Sequence, residues 1–111
     1  MTVLIDLRKV VSETVSVDPL RFEVRVDGVE TDLSKSLLVL LHTLMLHPHQ
    51  VFTLEDLRQS LQHVSTAEDS TIRVMVYELR NRLGKKGRDL VGTIHGRGYK
   101  FTQDTKVFDR G

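Results

Sequence analysis

The sequence predicts an α+β fold, with an N-terminal antiparallel sheet, a three-helix core and a C-terminal β-hairpin. Three observations predict it. Valines alternate with polar residues through the first third of the chain. Leucine, isoleucine and valine then recur at three- and four-residue spacing in three separate runs. Near the end, His95-Gly96-Arg97-Gly98 divides two short apolar runs, and its two glycines permit the positive φ of a hairpin turn. At 111 residues this is one domain.

The elements follow in order. Residues 1–13 read as a linker or an extra edge strand, with Thr2–Leu7 the strand-like part. Thr14–Val17 is a strand that Asp18-Pro19 ends. Phe22, Val24 and Val26 alternate with Glu23 and Arg25 as a half-buried strand, Asp27-Gly28 is a tight turn, and Val29–Leu33 returns. Ser34 can cap the first helix, whose buried stripe is Leu37, Leu38, Leu41, Leu44 and Met45, and Pro48 stops it. Thr53 and Asp56 form a capping box for a second helix with Leu54, Leu57 and Leu61 on one face. Ser65 or Thr66 opens the third helix, with Glu68 and Asp69 at its positive end. Its stripe is Ile72, Val76, Leu79 and Leu83, helped by Met75, and Gly84 ends it. Leu90–Ile94 and Tyr99–Thr102 are the hairpin strands, and residues 103–111 have no period and read as a loose tail. His42 is expected at the surface or half-buried. Three helices with a long third one suggest a helix-turn-helix, and the hairpin beside it would be a wing: a winged helix-turn-helix over residues 14–102.

Charge is distributed unevenly. From Ser70 to Lys100 there are eight Lys or Arg and two acids, a net +6, whereas the rest of the chain carries a net −5. The overall +1 hides this polarity. A basic field on a helix and hairpin is the footprint of a duplex nucleic-acid reader. Rotating the third helix by about 100° per residue places Ser70, Val74, Tyr77 and Asn81 opposite the core, flanked by Arg73 and Glu78. B-DNA's major groove accepts such a helix. Arg73 can donate to guanine, Asn81 can bond adenine, Val74 suits a thymine methyl, and Glu78 can accept from cytosine. Arg80, Arg82, Lys85, Lys86 and Arg88 cluster at the helix end, too many for a dipole effect alone, and are assigned to phosphates. At the hairpin tip, His95 and Arg97 are placed to enter a minor groove.

The chain resembles the winged-helix effector domain of OmpR/PhoB-type response regulators over about residues 14–102. The residues that carry the resemblance are Glu68-Asp69-Ser70-Thr71-Ile72 leading into Tyr77-Glu78-Leu79-Arg80-Asn81-Arg82-Leu83, and Ile94-His95-Gly96-Arg97-Gly98-Tyr99-Lys100-Phe101. His47-Pro48 before Val51-Phe52-Thr53 matches as well. The resemblance implies binding to double-stranded promoter DNA at direct repeats, a homodimer, contact with RNA polymerase, and a receiver domain ahead of this half. Thr71 and Thr93 join Ser70 among the backbone contacts. Three departures stand out. Tyr77 and Glu78 occupy positions where members often carry basic residues. His95 holds the usual wing arginine position, with Arg97 in the variable turn. Gln62-His63 replaces a Trp-Gly pair, and the loop to the third helix is short.

Other classes find less support. The chain has no cysteine, so disulfides, thiolate metal sites and cysteine nucleophiles are excluded. His47 and His49 flank Pro48 without the further ligands a metal needs. No catalytic set or phosphate-binding glycine loop emerges, so no enzyme activity and no cofactor are expected. No apolar run reaches membrane-spanning length, no membrane partner is expected, and the expected location is cytoplasmic. The competing reading is a winged helix that binds protein instead of DNA, with the acidic N-terminal sheet as docking face. RNA binding ranks third, because no aromatic stacking platform is evident.

Overall fold

The computed structural model describes residues 6–64 and 69–109. Strands β1 (Lys9–Ser12), β2 (Val15–Asp18), β3 (Glu23–Val26) and β4 (Val29–Glu30) precede helices α1 (Lys35–Leu46), α2 (Leu54–Leu61) and α3 (Asp69–Arg82). A 3₁₀ turn (Gly84–Lys86) and a one-turn helix α4 (Gly87–Leu90) lead into β5 (Val91–Ile94), β6 (Gly98–Phe101) and β7 (Thr105–Phe108). One sheet has the order β4-β3-β2-β1-β7, and β5 and β6 form the second.

The five-stranded sheet packs one face on α1. Val10, Val17 and Val24 stand opposite one another across three antiparallel strands. All three are buried, as period-two alternation requires. Against them lie Leu37, Leu40, Leu41, Leu44 and Met45 of α1. The caps form as the sequence indicates. Ser34 Oγ accepts from Leu37 N at 3.3 Å. Thr53 Oγ1 accepts from Asp56 N at 3.0 Å, and Thr53 N donates to Asp56 Oδ2 at 2.9 Å. Leu57 and Leu61 of α2 and Ile72, Val76 and Leu79 of α3 complete the core.

The structure corrects several expectations. The N-terminal strand is Lys9–Ser12, and it lies inside the sheet between β2 and β7, not at its edge. Its apolar signal is only Val10-Val11, too short to read alone. The expected strand at Thr2–Leu7 falls largely outside the described residues, and Asp6 and Leu7 are not in a strand.

The tail is not loose. β7 pairs with β1 over four residue pairs, from Lys9↔Phe108 to Ser12↔Thr105. Gln103 ties it in, accepting from Ser12 Oγ at 2.7 Å and donating to Thr14 Oγ1 at 2.9 Å. Thr105 Oγ1 donates to Met45 O at 2.8 Å. These partners lie about 60 to 90 residues away in the chain, so no local pattern announces them.

Phe22 does not belong to β3. It sits at φ +53 in the preceding turn and is 52% exposed. The return strand is limited to Val29–Glu30, after which Leu33 turns into the core. His42 is buried, at 6% exposure, and its Nε2 donates to Arg8 O at 2.8 Å. A fourth helix takes Leu90 from the expected hairpin strand, and the second hairpin strand ends at Phe101 rather than Thr102. Four residues form a single turn, which has no periodicity to detect.

Candidate nucleic-acid interface

The buried stripe of α3 decides what its other face presents. Ile72, Val76, Leu79 and Leu83 are at most 2% exposed. With that stripe inward, Arg73, Val74, Tyr77, Glu78 and Asn81 are exposed, and Thr71 and Arg82 with them. Val74 is 54% and Tyr77 61% exposed, although neither gains anything from water at its apolar atoms. The side chain of Ser70 and the expected helix start at 65–68 lie outside the described residues. Gly84, at φ +82, closes the helix in the left-handed conformation that glycine adopts freely. Lys85, Lys86 and Arg88 then project from the following turns, all exposed.

The wing stands beside this face. β5 and β6 pair from Val91↔Phe101 to Ile94↔Gly98, and Arg97 N closes the turn on Ile94 O at 2.9 Å. His95 and Arg97 are exposed at the tip. The wing is anchored on the segment between α1 and α2. Phe52 N donates to Tyr99 O at 2.7 Å, and Tyr99 N donates to Phe52 O at 3.0 Å. A side chain at Gly98 would collide with the Phe52 carbonyl, so only glycine allows this approach.

Two concavities flank α3. A groove of about 280 Å³ runs between helix and wing, bringing Arg73, Thr93, His95 and Arg97 around one space. A notch of about 310 Å³ toward the C-terminal end of the helix is lined by Tyr77, Arg80, Asn81, Lys85 and Arg88. Five of the eight basic groups between residues 70 and 100 thus line these two concavities: Arg73 and Arg97 the first, Arg80, Lys85 and Arg88 the second.

Arg80 and Thr93 differ from the rest of the predicted phosphate set. The Arg80 guanidinium donates through Nε to Val91 O at 2.8 Å and through Nη2 to Thr93 Oγ1 at 2.6 Å. It also lies over the Tyr99 ring, 5.5 Å from the centroid. Burial lowers its pKa below the ordinary arginine value; Tyr99 opposes this and Arg88 adds to it. Two of its five N–H donors are engaged within the protein, so the guanidinium is partly committed to the wing. Lys86 Nζ approaches Asp27 Oδ2 at 3.5 Å, but both are well exposed, and such a pair contributes about 0–1 kcal/mol.

Residues 28–101 match the family described as transcriptional regulatory protein, C terminal. The chain belongs to this family, the OmpR/PhoB-type effector domains. It is 33% identical over 89 residues to the phosphate regulon transcriptional regulatory protein PhoB of Klebsiella pneumoniae, an alignment covering 78% of this chain and 39% of that protein. It thus spans about two fifths of the length of that relative. Among solved structures, the DNA-binding domain of CpxR from E. coli superposes with a TM-score of 0.71 at 29% identity, covering 85% of this chain and 95% of the other. The RstA DNA-binding domain of Klebsiella pneumoniae, solved in complex with the RstA box, gives a TM-score of 0.74 at 23% identity, covering 85% and 96%.

Within the OmpR/PhoB-type fold, this chain's site includes groups that sequence reasoning missed. Leu54, at the start of α2, and Ile94 line the helix–wing groove. Tyr99 lines it as well and underlies Arg80. Tyr99 was visible in the sequence within the wing motif, but its role depends on Arg80, nineteen positions earlier. Among the described residues, no group of three or more His, Asp or Glu gathers as metal ligands. No helix of the described residues is long and apolar enough to cross a membrane.

Proposed function

We propose that the chain is the DNA-binding effector half of a response-regulator-type transcription regulator, reading double-stranded promoter DNA sequence-specifically. α3 enters the major groove and the β5–β6 wing reaches the minor groove. The observation that carries this reading is an α3 face that leaves Val74 and Tyr77 in solvent, with Arg73 and Arg97 around the helix–wing groove and Lys85 and Arg88 at the notch near the helix end. An apolar side chain unsupported by a core is suited to a base methyl or sugar. Arg73, Val74, Tyr77, Glu78 and Asn81 are assigned to base edges. Thr71, Arg82, Lys85, Lys86 and Arg88 hold the phosphate backbone, and Ser70 is retained with them on its position in the sequence. His95 and Arg97 are the wing contacts. The similar RstA DNA-binding domain was solved in complex with the RstA box, which supports DNA as the partner.

The same reading extends to a cytoplasmic protein that binds as a homodimer and contacts RNA polymerase, on the family resemblance. Selection of bound duplexes from a random pool, followed by footprinting, tests it. Enrichment of one motif repeated at about 10–10.5 base pairs, or a multiple, is expected. Absence of any enriched sequence would favour the protein-binding winged helix.

A further inference from the structure

Arg80 lies where α3, the turn after it and the wing meet. Its side chain reaches β5 twice, at the Val91 carbonyl and the Thr93 hydroxyl, and stacks on Tyr99 of β6. Its backbone is equally confined. A Cβ at Gly87 would strike the Arg80 carbonyl, so α4 packs directly on that peptide. Tyr99 is in turn paired through its backbone to Phe52. The wing is held on the segment around His49 and Phe52, by Val91 and Phe101 in the core, and on the recognition helix. The support from the recognition helix runs through the Arg80 side chain.

We propose that Arg80 is a positioning residue that sets the wing against the recognition helix, so that Arg73 on α3 and His95 and Arg97 on the wing engage one duplex as a unit. The proposal rests on the DNA-reading function above. The fork geometry makes it specific to arginine. Nε and Nη2 reach two different acceptors while the guanidinium carbon stands over an aromatic ring, 5.5 Å from its centroid, which a lysine ammonium cannot reproduce. A phosphate anchor, by contrast, needs only a positive charge within reach of the backbone.

Binding to a selected duplex is measured for the wild type, Arg80→Met, Arg80→Lys, Arg97→Ala and the double variant Arg80→Met/Arg97→Ala. Both Arg80 variants are expected to weaken binding about tenfold. In the Arg97→Ala background, the Arg80→Met loss should shrink to about twofold, because residues acting through one element are not additive. Near wild-type binding by Arg80→Lys, or an unchanged loss in the Arg97→Ala background, would overturn the proposal and make Arg80 a phosphate contact.

A DNA-free measurement accompanies it. Amides of β5 and β6 should exchange hydrogen faster in Arg80→Met while α1 core amides keep their protection. Equal exchange in the wing of both proteins would also overturn it. If the wild type bound no duplex at all, the functional reading would fail, and the exchange comparison would still decide whether Arg80 holds the wing.

Discussion

Among the side chains proposed to read bases, Arg73 is assigned the most sequence-dependent contact. It is exposed, it lines the helix–wing groove, and it lies one helical step from Val74. Arg73→Ala is expected to cost about 1–3 kcal/mol on the selected site and much less on unrelated duplex, because a bidentate guanine contact is sequence-dependent. Equal losses on every sequence would reduce Arg73 to a phosphate contact. His42 works differently, on stability. Burial pushes its pKa below the ordinary imidazole value of 6.5, against smaller raising effects from the Arg8 carbonyl and Asp6. The fold thus favours the neutral ring. The corresponding stability is complete above pH 6.5 and declines as pH falls below it, since the unfolded chain binds the proton more readily. Urea denaturation at pH 7.5 and pH 5.5 should therefore show a smaller drop in His42→Gln than in the wild type. Asp6, held down to about 2 chiefly by its hydrogen bond from the Arg8 side chain, loses its contribution only well below that window.

At the scale of elements, what the sequence revealed and what it hid divide by distance along the chain. The α1 and α2 caps were readable because Ser34, Thr53 and Asp56 act on residues three positions away. The α3 stripe was readable because Ile72, Val76, Leu79 and Leu83 repeat within one helix. The outward residues of the site followed from that stripe by geometry alone. β7 was not readable, because Val107 is brought against the core by pairing with β1, almost a hundred residues earlier. Nor was the role of Arg80 readable, since a helical arginine near a C-terminus looks the same whether it faces phosphate or a wing. The β7 pairing has a direct consequence. Truncation after Thr102 removes four strand pairs, the Gln103 bridge and the Thr105 bond to α1. At about 1 kcal/mol for each bond lost, thermal denaturation should show a destabilisation of at least about 2 kcal/mol. An unchanged melting temperature would mean that the strand adds nothing to the sheet.

For the whole molecule, DNA binding depends on a charge distribution that the total of +1 conceals. The net +6 of residues 70–100 is carried by a helix, a turn and a wing, with five of the eight basic groups lining two concavities along α3, and the balancing acids lie mainly in the other parts of the chain. Such a surface should release counterions from duplex DNA in proportion to the phosphates it neutralises. Lys85→Ala should then weaken binding to all duplexes alike and flatten the salt dependence by about one unit. The most direct measurement is the affinity for duplex DNA as a function of salt between 50 and 200 mM. Neutralisation of about six phosphates should give a slope of log K against log salt near −5. An affinity that stays weak and does not change with salt would contradict the account.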